Sequence, residues 1–180
     1  MKAMKKLAIV AALCLMLWSC NSEPTLQQYF VKNSESKDFI ALDLTTDILR
    51  LNKSEISAEE TAALETLKKM NILAYQADAK NPAKFEAERA KIKNILKNEK
   101  YQELIKVNSG KEGGAVYFVG EEDKIDEFVL FANKNDAGFA IVRVLGKNMS
   151  PNSIMTMLSV LNKANLDIEQ LKPLQKMIPN

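Results

Sequence analysis

Cys20 closes the first chemically suggestive pattern in the chain. The apolar run Leu7 to Trp18 ends in Leu17-Trp18-Ser19-Cys20, with a leucine three positions before the cysteine and a small residue directly before it. That spacing resembles the lipobox at which a lipoprotein signal peptidase cleaves, leaving a cysteine sulfur to carry acyl chains; Trp18 stands where a small residue is usual. Lys2, Lys5 and Lys6 precede the run. As a helix its twelve residues would span about 18 Å, short of the roughly 30 Å a membrane-crossing helix must cover. Residues 1–19 are therefore expected to be a lipoprotein signal peptide, with lipid attached at Cys20. The alternative is ordinary secretory cleavage with Cys20 left as a thiol. Each buried CH₂ contributes about 0.8 kcal/mol, so the two or three chains usual at such a cysteine would hold permanently. The tether, 20–24, reaches at most about 18 Å when extended.

Other residues invite chemistry less specifically. Glu121, Glu122, Asp123, Asp126 and Glu127 place five carboxylates within seven residues. A hard cation could use them, but the alternating ligands, glycine and distal glutamate of an EF-hand are missing, so a solvated acidic turn is expected. Ser109-Gly110-Lys111-Glu112-Gly113-Gly114 suggests a phosphate cradle, yet it leads from a predicted helix into a strand, the reverse of a P-loop. It reads as a flexible loop. Arg143 interrupts an apolar strand, where an unpaired guanidinium would be costly; it is expected to pair with a nearby carboxylate such as Asp43 or Asp126, or to keep its head in water with its stem packed, the alternative being an anion or partner anchor on an exposed sheet face. Met149, Met155, Met157 and Met177 are expected to fill core space.

Composition removes whole classes of function. The chain has no histidine, and its only cysteines are Cys14 and Cys20. Zinc hydrolases and Ser-His-Asp or Cys-His enzymes are excluded, and no cofactor, metal ligand or catalytic residue is assigned. Three of the 25 cationic and none of the 23 acidic residues lie in 1–19, so the net charge falls from +2 to about −1 once the signal is removed. Nothing in that balance favours nucleic acid.

The elements that must position these residues are legible in part. Thr25–Val31 reads as a short helix, 38–44 as a strand, and Ser57-Ala58-Glu59-Glu60 as a capping box opening a helix to about Met70. In that helix Ala63, Leu64, Leu67 and Met70 are expected to face the core. Thr45–Leu51 is ambiguous, and 71–76 reads as a second strand. Asn81-Pro82 starts a helix over 83–97, with Phe85, Ile92, Ile95 and Leu96 on one stripe, continuing or resuming through Tyr101, Leu104 and Ile105. Three strands follow at 115–119, 126–133 and 139–145, the last two joined by Lys134-Asn135-Asp136-Ala137-Gly138. Their faces are both mainly apolar, so the sheet needs cover on both sides or shows one side to a partner. Ser150-Pro151 starts a helix with Ile154, Met157, Leu158 and Leu161 buried, and Asp167 starts a last one. The expectation is one α+β domain over 25–180, with about five strands in a mainly antiparallel sheet, three or four helices and the order β-α-β-α-β-β-β-α.

Several segments also carry a family likeness: Gln28-Tyr29-Phe30, Asp38-Phe39-Ile40, Lys100-Tyr101-Gln102-Glu103-Leu104, Tyr117-Phe118-Val119-Gly120-Glu121, Ile125-Asp126-Glu127-Phe128 and the run Gly138 to Gly146. Over nearly the whole chain after the signal they resemble the Bacteroidota lipoprotein family of domain of unknown function 4252. The resemblance implies an envelope lipoprotein from a group with relaxed lipoboxes, which accommodates Trp18. It implies no activity and carries no catalytic residues over.

The function expected from these readings is a membrane-anchored, non-enzymatic binding or accessory module, tied to the bilayer through acylated Cys20, with an envelope protein or glycan as partner. A carrier of an apolar ligand is the alternative. An enzyme would have to rely on a carboxylate pair, for example on a glycan. Asn21 is not the aspartate that retains many lipoproteins at the inner membrane, and Asn21-Ser22-Glu23 lacks an acidic export run, so outer-membrane placement facing the periplasm is expected.

Overall fold

The computed structural model describes residues 24–45, 56–109, 112–135 and 137–163, apart from the side chains at 154, 157, 158 and 161–163. The expectations for the signal, Cys20 and the tether before Pro24, for most of 45–51 and for the helix from Asp167 lie outside these residues.

Short polar motifs start the helices. Thr25 Oγ1 accepts the Gln28 amide at 3.2 Å while Gln28 Oε1 accepts the Thr25 amide at 2.9 Å, opening α1 (Leu26–Asn33). The Ser57 box closes in the same way: Ser57 Oγ accepts the Glu60 amide at 3.1 Å and Glu60 Oε2 the Ser57 amide at 2.8 Å. Each box satisfies amide donors that a helix start leaves orphaned. The helix it opens, α2 (Ala58–Glu65), is shorter than expected. Its buried residue is Glu60, whereas Ala63 and Leu64 are half-buried and Leu67 and Met70 belong to a strand. Local helical spacing yields there because Leu67–Gln76 gains ladder partners on both edges, β1 (Phe39–Leu44) and β6 (Gly138–Met149) flanking β2. Asn81 Oδ1 caps α3 (Pro82–Ile95), which buries Phe85, Ile92 and Ile95 as its stripe requires.

Gln102–Ser109 also departs from helical expectation. The expected continuation of α3 through Leu104 and Ile105 is instead a strand, β3, which pairs with β4 (Glu112–Glu121) as a hairpin. Of the segment expected to be a loop, Ser109 ends β3 and Glu112, Gly113 and Gly114 begin β4, while 110 and 111 lie outside the described residues. With β5 (Lys124–Lys134), the sheet has six strands among the described residues rather than about five, in the order β1-β2-β6-β5-β4-β3, and every pairing is antiparallel. Among the described residues the element order is α-β-α-β-α-β-β-β-β-α, the last being α4 (Pro151–Lys163).

Helices α1 and α3 cover one face. Leu26, Tyr29 and Phe30 from α1 and Phe85, Ile92 and Ile95 from α3 pack with Leu73, Tyr75, Val129, Phe131, Phe139 and Ile141 of the sheet. Rings dominate this core. Tyr75 stacks on Phe139 at 5.3 Å, and Phe39 lies 5.2 Å from Tyr75, a geometry that adds to simple area burial. Tyr29 Oη donates to Glu88 Oε2 at 2.7 Å and so ties α1 to α3. The other face is covered at one end, where α2 leads into β2 and α4 follows β6. Phe118, Ile125, Phe128, Val144 and Met149 are buried there. Met149 fills core space as expected; Met155 is exposed instead.

Two outcomes follow. Gly138 has a φ of +132°, and a Cβ there would lie 1.9 Å from the Tyr75 carbonyl oxygen, so Gly138→Ala should lower stability by about 2 kcal/mol or more in urea unfolding. Burial and the bond to Glu88 raise the Tyr29 pKa well above 10, so the unfolded chain loses this proton first. Stability should therefore be intact below about pH 10 and decline above it, and Tyr29→Phe should flatten that alkaline slope in thermal melts.

Candidate functional site

Side chains alternate along a strand, and residues opposite one another in register share a face, so the pairing resolves the sheet into rows. On the face opposite α1 and α3, one row runs Leu44, Met70, Val144, Phe128, Phe118. The next is Leu42, Ile72, Val142, Leu130, Val116, Ile105. The third is Ile40, Ala74, Ala140, Ala132, Gly114, Val107. Side-chain size falls from row to row, and the four central strands end in three alanines and a glycine.

The result is a trough of about 630 Å³ running across the strands. Ile72 and Val142 form its apolar wall, the small row its floor, and Lys134, Glu112 and Ser109 its polar rim. Its lining comes from strands and the β5–β6 turn, with no helical residue among the described positions. Lys134 and Glu112 pair across the rim at 3.0 Å. At the sheet edge the apolar surface continues onto β3, where Ile105 is 52% and Val107 61% exposed. The volume lies within the roughly 300–1,000 Å³ of ordinary ligand pockets.

A different row underlies α1. Asp43, Asn71 and Arg143 sit side by side on β1, β2 and β6, with Glu127 diagonal to Arg143 on β5. Arg143 Nε donates to Glu127 Oε1 at 2.6 Å and Nη2 to Oε2 at 3.2 Å. Nη1 donates to Gln27 of α1, and the guanidinium carbon lies 5.3 Å from the Phe30 ring centre. Asn71 donates to Asp43. Arg143 is 5% and Glu127 8% exposed. Every donor is directed at a partner, which is what burial of such groups requires.

The expected partners of Arg143, Asp43 and Asp126, are thus replaced by Glu127 and Gln27. Glu127 shares the phase of Val129 and Phe131 and so points inward on the helix-bearing face, while Asp126 stays exposed; the register shift lies between Ile125 and Glu127 and brings Ile125 to the opposite face with Phe128. The acidic cluster is accordingly divided: Glu121, Glu122 and Asp123 are exposed around the β4–β5 turn and Glu127 is committed to the interior. Among the described residues no three acidic side chains come together as a cation site. In the four cavities whose linings are described, Glu112, Asp43, Glu103 and Glu88 each stand as the single carboxylate. Sequence reasoning recognised two apolar faces but missed the trough, whose signal was alanine or glycine recurring at one phase of β2, β4, β5 and β6.

The family described as Domain of unknown function (DUF4252) matches residues 29–157. The chain belongs to this family. The match to DUF4252 runs from Tyr29 in α1 to Met157 in α4 and so includes the whole described sheet, the trough and the Arg143–Glu127 pair, with Gln27 just before it. No curated protein and no solved structure matches the chain. No helix among the described residues is long and apolar enough to cross a membrane.

Removing one member of the buried pair should be worse than removing both. Arg143→Met, which strands Glu127, should cost about 3–5 kcal/mol, and adding Glu127→Met should restore most of it in a double-mutant cycle of urea unfolding.

Proposed function

We propose that this DUF4252 chain is a non-enzymatic binding or accessory module, a Bacteroidota envelope lipoprotein held to the outer membrane through acylated Cys20 and facing the periplasm. The trough carries the reading: a row of small residues crosses four paired strands, bounded by an apolar wall and a polar rim, without a helix of the described chain upon it. Apolar surface that the described residues leave uncovered in this way is characteristic of interaction sites. The single carboxylate in each described cavity supports binding rather than paired-carboxylate catalysis. The lipobox-like Leu17-Trp18-Ser19-Cys20 supports the anchor, and the short tether would keep the trough near the bilayer surface.

Carriage of an apolar ligand is the second reading, favoured by the volume of about 630 Å³ and its apolar walls. The two share a surface and separate by what it holds.

The test has two parts. Full-length chain produced in a Gram-negative host with labelled palmitate should carry label and sediment with membranes, and Cys20→Ser should be unlabelled and released; an unlabelled wild type would defeat the anchor. Ala132→Lys, at an exposed floor position, should abolish binding of an apolar fluorescent probe while leaving the melting temperature within a few degrees. Probe binding unchanged by Ala132→Lys would defeat the trough. Native mass spectrometry then decides the second reading, a retained apolar small molecule supporting carriage and a bare polypeptide opposing it.

A further inference from the structure

A second cavity, of about 380 Å³, lies on the helix-bearing face between the C-terminal half of α3 and the β3–β4 hairpin. It shares only backbone-level floor residues and Asn133 with the trough and does not depend on the function proposed for it. Lys93 and Lys97, one helical turn apart on and just after α3, face Lys106 of β3 across this cleft. The carboxylate in the lining, Glu103, is taken up by Lys106 at 2.9 Å. Lys93 and Lys97 carry no ion pair among the described residues. A chain that is slightly acidic after its signal thus concentrates two unneutralised ammonium groups at one concave place, where a field is focused rather than dispersed.

The floor supplies the second observation. Asn108, Gly113 and Asn133 lie in one cross-strand row of β3, β4 and β5. A Cβ on Gly113 would stand 2.9 Å from Asn108 Oδ1 and 3.4 Å from Asn133 Nδ2, so the glycine is what lets two carboxamides approach over the middle strand. Neither carboxamide is hydrogen-bonded to another described residue. Both remain available to a ligand. Leu96, Tyr101 and Phe131 close the inner wall with apolar surface.

We propose that this cleft binds a phosphorylated sugar. Lysines are point-charge phosphate binders, and Lys93 and Lys97 supply the charge that a phosphate monoester needs. The carboxamides of Asn108 and Asn133 offer donors and acceptors to hydroxyls, and the apolar wall takes the C–H face of a pyranose ring. A bare phosphate would leave the carboxamides and that wall unused. The sugar phosphate could be soluble or the headgroup of a membrane glycolipid; the chemistry is the same.

The experiment titrates the full chain in detergent micelles with glucose 6-phosphate, followed by side-chain amide NMR and calorimetry. Saturable shifts of the Asn108 and Asn133 amides are expected. Lys93→Gln with Lys97→Gln should weaken binding about tenfold or more, because charged hydrogen bonds are lost, and both positions are exposed, so the melting temperature should not move. Gly113→Ala should weaken binding by parting the carboxamides. Absence of shifts at millimolar ligand, or equal affinity in the double lysine variant, would overturn the site. Glucose binding as well as its phosphate would overturn the charge requirement, and inorganic phosphate binding as well would overturn the sugar. Vesicles bearing a phosphorylated-sugar headgroup then assign the source: displacement of glucose 6-phosphate supports a membrane glycolipid, and no displacement supports a soluble one.

Discussion

The register of β2, β6, β5 and β4 is the constraint on which the molecule turns. With a side-chain period of two, each hydrogen-bonded pairing decides not only which strands are neighbours but which residues form a continuous surface across them. One setting of that ladder places Leu73, Tyr75, Phe131, Phe139 and Ile141 under α1 and α3. The same setting aligns Ala74, Ala140, Ala132 and Gly114 on the reverse. A one-residue slip in any central strand would carry rings into the trough and alanines into the core. Core and trough are therefore two consequences of one pairing.

The polar row beneath α1 is a local exception within that apolar interior. Burying Arg143 and Glu127 has a desolvation cost that only full hydrogen bonding offsets, and the geometry meets the requirement: two donors to one carboxylate, a third to Gln27, and an aromatic face beside the guanidinium. Because Gln27 belongs to α1, the network also fixes how that helix seats on β6. Tyr29 performs the matching task toward α3 through Glu88. The helix-bearing layer is thereby held by directional bonds at two points and by ring packing between them.

Much of the fold was legible from local patterns. Caps at Ser57 and Asn81 and the proline at 151 marked helix starts, and the stripe Phe85, Ile92, Ile95 identified the buried side of α3. The hairpin of β5 and β6 followed from turn chemistry between two apolar runs. The errors lie where local preference and tertiary pairing disagree. Leu64, Leu67 and Met70 recur at helical spacing, yet the last two serve a strand hydrogen-bonded on both sides. Leu104 and Ile105 continue the spacing of α3, yet β4 offers them a ladder. Arg143 is paired as expected, but its partner Glu127, two residues before Val129 on the same face, becomes its neighbour only through the β5–β6 register.

From the sequence alone came the absence of histidine and the restriction of cysteine to Cys14 and Cys20, with the histidine-dependent chemistry this removes, and the likeness to the family whose model matches residues 29–157. These are properties of residue inventory and of local order along the chain, which need no knowledge of distant neighbours. The sixth strand, the meeting of Glu127 with Arg143, the trough and the lysine cleft were decided by tertiary structure. Each joins residues of different strands and helices that become adjacent only through strand register and packing, and register is set by cooperative burial of the whole sheet rather than by any one segment.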